Sequence, residues 1–140
     1  MYKHILLSTD GSDLAMRGVA HGLRLAKDQS SKVTLVTVTP PYPLQSPTTH
    51  GAWDTAHKQD ADKALDAARQ VAEAAGVEIS AIHEIAESPA DAILEIARRQ
   101  GCDLIVMASH GRRGVKRLLL GSQTAEVVQS STVPILIIRQ

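Results

Sequence analysis

Between Asp103 and Ser131 the chain reads DLIVMASHGRRGVKRLLLGSQTAEVVQSS, and here residue types and spacing suit a particular chemistry. Leu104 to Ala108 is an apolar run short enough to be a buried strand. A glycine-punctuated basic loop follows, His110-Gly111-Arg112-Arg113-Gly114, and the chain then reaches Gly121-Ser122 just before a helical segment, Thr124 to Gln129. Strand, glycine loop with cations, and serine at a helix start form an arrangement suited to holding an anion. Glycines let backbone N–H groups approach a phosphate closely, and the first turn of a helix offers unpaired donors at a positive dipole end. Ser122 fits a plain N-cap and a phosphate donor equally, since the two roles are compatible. Arg112 and Arg113 fit either a solvated loop face or phosphate contact, because a triphosphate needs cations or a metal to offset its charge. The stretch KRLLL, 116–120, reads as an amphipathic turn whose leucines close the loop onto the sheet.

Other reactive residues are less organised. Ser8, Ser12 and Ser109 have no base partner implied by spacing, and no carboxylate pair or His/Asp relay stands out. Any hydrolysis of a bound phosphate ester or anhydride would therefore be slow and without a dedicated base. His50, Asp54 and His57 are metal-type residues close together, but they sit at a loop–helix junction where surface histidines are common. His4, His21 and His83 are isolated, His110 is a weaker candidate than the backbone around it, and Cys102 reads as a small buried residue. Neither G-x-x-x-x-G-K-[ST] nor a G-x-G-x-x-G after the first strand is present.

A chain of 140 residues is expected to form one domain, 1–140. At 44% hydrophobic and 21% charged, its composition is that of a soluble globular protein. Zero formal net charge argues against a general nucleic-acid or membrane-surface binder. No apolar run approaches the roughly 20 residues that span a bilayer. A single cysteine excludes an intrachain disulfide framework, and the cytoplasm is the simplest setting. With aromatics scarce, the core must be aliphatic.

The elements that must position the loop follow from periodicity. His4 to Thr9 and Val33 to Val38 read as strands, the first buried on both faces. Ser12 caps a helix running to Lys27. The proline-rich segment Thr39 to Gly51 is a loop, and Asp54 to Ala75 is an Ala-rich helix ended by Gly76. Val77 to Glu84 alternates like an edge or half-exposed strand. Ser88-Pro89-Ala90-Asp91 starts a third helix that Gly101 ends. Val133 to Ile138 is a last strand, with Pro134 marking an edge position or a strand start. The order βαβαβαβαβ predicts an α/β fold: a five-stranded parallel sheet with helices on both faces, a three-layer Rossmann-like domain. Ligands of such sheets sit beyond the carboxyl ends of strands, where strand order reverses. Ser8-Thr9-Asp10, Val38-Thr39 and Ala108-Ser109-His110 lie at those ends. Asp10 fits there as a ligand group or as a cap of helix one.

The spacing from Gly111 through nine residues to Gly121-Ser122, preceded by Ala108-Ser109-His110, resembles the universal stress protein family, whose nucleotide-binding members carry G-x2-G-x9-G-[ST] after the fourth strand. Thr9-Asp10-Gly11-Ser12, Ser88-Pro89, Gly101 to Met107 and Val133 to Ile138 match that family's pattern as well, so the resemblance covers the whole chain. One departure is Ala108, which stands where the motif has its first glycine; if that position needs positive φ, nucleotide affinity falls, by a cost on the order of 1 kcal/mol. The resemblance implies an adenine nucleotide alpha hydrolase-like fold and an ATP, ADP or AMP site, with Mg2+ or Mn2+ bound through the phosphates. Asp10, with Ser8 and Thr9, would lie near adenine and ribose, Val38 would contact the base, and Met107 and Ala108 would pass beside the ribose. Gly111, Arg112, Gly121, Ser122, Gln123 and Thr124 would hold the phosphates. It further implies a stress-response sensor or regulator acting as a homodimer through Val133-Ile138. The rival readings are a slow ATPase and a nucleotide-free dimerisation module.

Overall fold

The computed structural model describes residues 1–45, 47–111 and 119–139. Nine elements alternate along the chain: β1 (His4–Ser8), α1 (Asp13–Gln29), β2 (Lys32–Thr39), α2 (His50–Ala75), β3 (Ile79–Ile85), α3 (Pro89–Gln100), β4 (Leu104–Ala108), α4 (Ser122–Ser130) and β5 (Ile135–Ile138). The strands form one sheet in the order β3-β2-β1-β4-β5, every pairing parallel. The expected α/β architecture is therefore present. β3 and β5 are its edges, as their alternation and Pro134 suggested.

Side-chain alternation along each strand builds two separate cores. Ile5 and Leu7 of β1, Val33 and Leu35 of β2, and Leu104 and Val106 of β4 pack beneath α1 and α2. Leu6, Val36, Ile105 and Met107 point the other way and pack against α3 and α4. Ile5, Leu6 and Leu7 are wholly inaccessible to solvent, which is why β1 shows no polar alternation. The long helix α2 reaches the sheet through small residues, Ala61, Ala64, Ala68 and Ala72, at helical spacing.

α1 lies closer still. Gly18 and Gly22 face the sheet from one side of the helix, and a Cβ at Gly22 would stand 2.3 Å from Leu7 Cδ2. A Cβ at Gly18 would meet Ile138 Cγ1 at an ordinary 3.6 Å. The missing side chains let α1 settle over β1, β4 and β5, and so bring its N-terminus to the crevice described below.

Helix boundaries follow local capping chemistry. Ser12, Thr49 and Ser88 each accept a backbone N–H of the first turn of α1, α2 and α3. Gly101, at φ 71°, ends α3 in a left-handed turn that a side chain would strain. α2 begins four residues earlier than the Asp54 expected from composition, because Thr49 supplies its cap at the end of the proline-rich loop. At the amino ends of the strands, the Asp103 carboxylate accepts the N–H groups of Lys3 (2.9 Å) and His4 (3.0 Å), tying β1 to the start of β4. Desolvation raises the pKa of Asp103, but these backbone donors outweigh it and hold the carboxyl below its usual range.

Gly22→Ala is expected to lower stability by about 1–3 kcal/mol through overpacking against Leu7, whereas Gly18→Ala, whose Cβ meets only ordinary contacts, should be neutral or stabilising by up to about 1 kcal/mol, as read from urea unfolding midpoints.

Candidate functional site

Strand order reverses between β1 and β4, so their carboxyl ends bound a crevice at the topological switch point. Both ends stay tied to an outer strand as they leave the sheet. Thr9 N–H donates to Val36 O at 3.0 Å, and Ser109 N–H donates to Ile138 O at 2.8 Å. The termini of Ser8-Thr9-Asp10 and Ala108-Ser109-His110 are thereby held side by side, with Val38 one strand away at the end of β2.

After β1 the chain turns sharply through Gly11, at φ 82°. Gly11 N–H donates to Thr9 Oγ1 (3.1 Å) and Ser12 N–H donates to Asp10 Oδ1 (2.9 Å). The cap of α1 is Ser12, whose Oγ accepts from Ala15 N–H at 3.3 Å. Asp10 belongs to the turn before the helix. Its second carboxylate oxygen faces the other side of the crevice, where a Cβ on Gly111 would stand 2.7 Å from Asp10 Oδ2. Gly111 is thus required for close approach, and the partner that first demands it is the chain's own carboxylate.

Gly121 is the N-cap of α4, at φ −65°, a conformation open to any residue. Its constraint is also spatial: a Cβ would meet Ser109 O at 3.3 Å and His110 Cα at 3.6 Å. Gly121 N–H donates to Ser109 O at 2.7 Å, which fastens the start of α4 to the end of β4. No side chain caps α4 and its first turn holds no acid, whereas α1, α2 and α3 are each capped by a hydroxyl. Ser122 is exposed at this helix start. The arrangement offers backbone donors and a positive dipole end to an anion in the crevice.

The side chains of Gln123 and Thr124 have other engagements. Gln123 Oε1 accepts from Ala90 N–H at 3.1 Å and so serves the first turn of α3. Thr124, 4% exposed, donates from Oγ1 to Ala108 O at 2.9 Å. For a ligand at α4, Thr124 retains its backbone N–H as donor, and Gln123 its backbone N–H and its side-chain Nε2. Ala108 lies within β4, paired with Ile138, and Ser30 is the one non-glycine residue with positive φ among the described residues. Alanine therefore carries no backbone penalty at 108. Met107 is buried in the core under α3 and α4, and half-buried Val38 packs against the same core. Arg112, with Arg113 and Gly114, lies outside the described residues. The expectation that the leucines of 116–120 close onto the sheet fails at Leu119, which is 73% exposed; it follows the loop rather than a strand or helix face.

One further reading changes. Ser109 does have a base beside it: Ser109 Oγ and His110 Nδ1 are 3.0 Å apart. Adjacent residues rarely face each other, so spacing gave no signal. No carboxylate among the described contacts orients this pair, and Ser109 is 2% exposed. The proline-rich loop closes on its own aromatic cluster. Tyr42 Oη donates to Thr48 O (2.7 Å), the Tyr42 ring lies 4.7 Å from His50, and Trp53 stacks on His57 at 4.1 Å. His50 Nε2 pairs with Asp54 Oδ2 at 3.2 Å. His57 Nδ1 donates to Trp53 O (2.9 Å), and among the described residues no group of three His, Cys, Asp or Glu converges as metal ligands. Burial, reinforced by the neighbouring Asp103 charge, pushes the Cys102 thiol up to about 11, which makes it a poor nucleophile. A hollow of about 500 Å3 beside Cys102, lined also by Leu94, Arg98 and Val133, lies at the opposite end of β4. It lacks the convergent backbone donors of the β1–β4 crevice, so the crevice is the better candidate.

Comparison with known proteins agrees with this geometry. The model of the universal stress protein family matches residues 1–139. The chain is 32% identical to universal stress protein MJ0531 of Methanocaldococcus jannaschii over 144 aligned residues, covering 100% of this chain and 84% of that one. It is similar to the solved structure of MJ0577, at TM-score 0.87 and 28% identity, over 100% of this chain and 97% of that one. A universal stress protein in complex with cAMP is similar at TM-score 0.77 and 28% identity, over 98% of this chain and 97% of that one.

Gln123→Ala is expected to leave the first turn of α3 short of an acceptor and to cost about 1 kcal/mol of stability, measured by chemical unfolding.

Proposed function

The chain belongs to the universal stress protein family, and we propose that it binds an adenine nucleotide, ATP in the first instance, in the crevice between the carboxyl ends of β1 and β4. The observation that carries this reading is the start of α4: a helix terminus without a side-chain cap or first-turn acid, set behind two positions, Gly111 and Gly121, where a Cβ has no free room. The cAMP complex of a relative at 28% identity supports the same ligand class.

In this reading Ser8, Thr9 and Asp10 lie towards the ribose and adenine, and Val38 offers backbone and apolar contact to the base. Met107 and Ala108 run beside the ribose. The phosphates lie over Gly111 and Gly121 and against the N–H groups of Ser122, Gln123 and Thr124, since the Gly121 N–H and the Thr124 hydroxyl are engaged with Ser109 O and Ala108 O. Arg112 and an Mg2+ or Mn2+ ion carried by the phosphates complete the offset of charge. The protein then acts as a cytoplasmic stress sensor or regulator whose state follows nucleotide supply.

The functional unit we propose is a homodimer formed through β5 and its lead-in, Val133-Ile138. β5 is an edge strand of sequence ILII, and such an edge is an aggregation liability unless covered. Pro134 O and Ile138 O accept from β4, so the backbone groups of Ile135 and Ile137 face outward, ready for a second strand.

Equilibrium titration with labelled ATP and magnesium should give saturable binding, and Gly121→Val should weaken it at least about tenfold with an unchanged circular dichroism spectrum. No binding by the wild-type chain at millimolar ATP would end the nucleotide reading. Ile137→Pro removes an outward N–H and should convert the dimer to monomer in sedimentation experiments. A dimer that persists would move the interface away from β5.

A further inference from the structure

We infer that His110 is a further recognition residue of this site, donating a hydrogen bond from Nε2 to a phosphate oxygen of the nucleotide, with Ser109 holding the ring in the tautomer that makes Nε2 a donor. The inference rests on the nucleotide reading above. Nε2 of His110 is shut off from solvent and has no hydrogen-bond partner among the described residues. Buried polar atoms are almost always paired, so an orphan of this kind marks the place of a missing partner. The rest of the ring is accounted for, because Nδ1 lies 3.0 Å from Ser109 Oγ.

Position points the orphan at the crevice. The His110 Cδ2 atom, bonded to Nε2, lies 3.8 Å from where a Cβ on Gly121 would stand. That edge of the imidazole therefore runs beside the cap of α4, a helix start that no side chain caps and whose first turn holds no acid. A ligand anion drawn to the helix start comes within reach of the ring edge, and glycine at 121 keeps the approach clear.

Ser109 fixes the chemistry. Its N–H donates to Ile138 O and its carbonyl accepts from Gly121 N–H, so its backbone is held from both sides and its buried hydroxyl is pressed against Nδ1. A hydroxyl that donates to Nδ1 leaves the single proton of a neutral imidazole on Nε2. Phosphate oxygens only accept, so this tautomer is the one that complements them. The ring then adds a directed, uncharged donor to the backbone cradle. Ser109 acts only through His110 and is a positioning residue.

Calorimetric titration of the full chain with ATP and with adenosine, alongside nitrogen-15 NMR of the histidine rings, tests this. In the free wild-type protein Nε2 of His110 should carry the proton at neutral pH, and Ser109→Ala should shift the balance towards Nδ1. His110→Ala should weaken ATP roughly tenfold to hundredfold, the range for a hydrogen bond to a charged group, and leave adenosine unchanged. His110→Gln, which keeps an N–H donor at a similar reach, should recover most of the ATP affinity. A wild-type chain that binds ATP while His110→Ala binds it within twofold would overturn the role of His110 and leave the nucleotide site standing. Nε2 found unprotonated in the wild type would overturn it as well, whatever the variants do. A wild-type chain that binds neither ligand would remove the nucleotide reading and this inference together.

Discussion

The crevice depends on there being no room for a side chain between residue 111 and Asp10. The Asp10 carboxylate is held on one side by Ser12 N–H and looks across to Gly111 on the other. Two strand ends that are neighbours in the sheet are thus neighbours above it too, and the segment after β4 can leave the sheet directly over the turn after β1. A Cβ at 111 would part the two, either pushing the carboxylate off the turn that precedes α1 or lifting the β4 exit away. The same close approach recurs at Gly121, against Ser109 O, so the start of α4 is fastened down rather than merely nearby. Helix dipole, backbone donors and carboxylate are thus pre-positioned by sterics.

Beneath this lies a sheet whose period-two alternation sends Ile5 and Leu7 to one layer and Leu6 to the other. With no phenylalanine in the chain, close packing has to come from aliphatic side chains and from bare backbone. The glycines of α1 and the alanines of α2 do on one face what aromatic rings often do elsewhere: they remove the gap by bringing the layers together. This places the α1 cap over the carboxyl end of β1 and so contributes to the site from below.

Most of the fold could be read before the structure, because its signals are local. The unbroken apolar run at β1, the Ser88-Pro89 start of α3 and the Gly76 and Gly101 stops each have one physical meaning, and the structure places those elements there. The α2 start was less legible because Thr49 lies among prolines and another threonine, where composition says loop. The site was legible to the level of the backbone only. That Gly111, Gly121 and Ser122 stand by a strand end and a helix start follows from their order in the chain. That Gln123 reaches back to α3, that Thr124 is tied to Ala108, or that Ser109 and His110 face each other depends on distances across the fold, which no spacing rule encodes. The doubt attached to Ala108 dissolves for the same reason: its conformation is set by the β4–β5 ladder, not by the glycine loop it precedes.

The Gln123 amide joins the first turns of α3 and α4, which also pack together through aliphatic side chains. This ties the starts of α3 and α4 together at the end of the layer that faces the crevice. The layer formed by α3 and α4 is thereby joined to the crevice through a polar contact as well as through its aliphatic core.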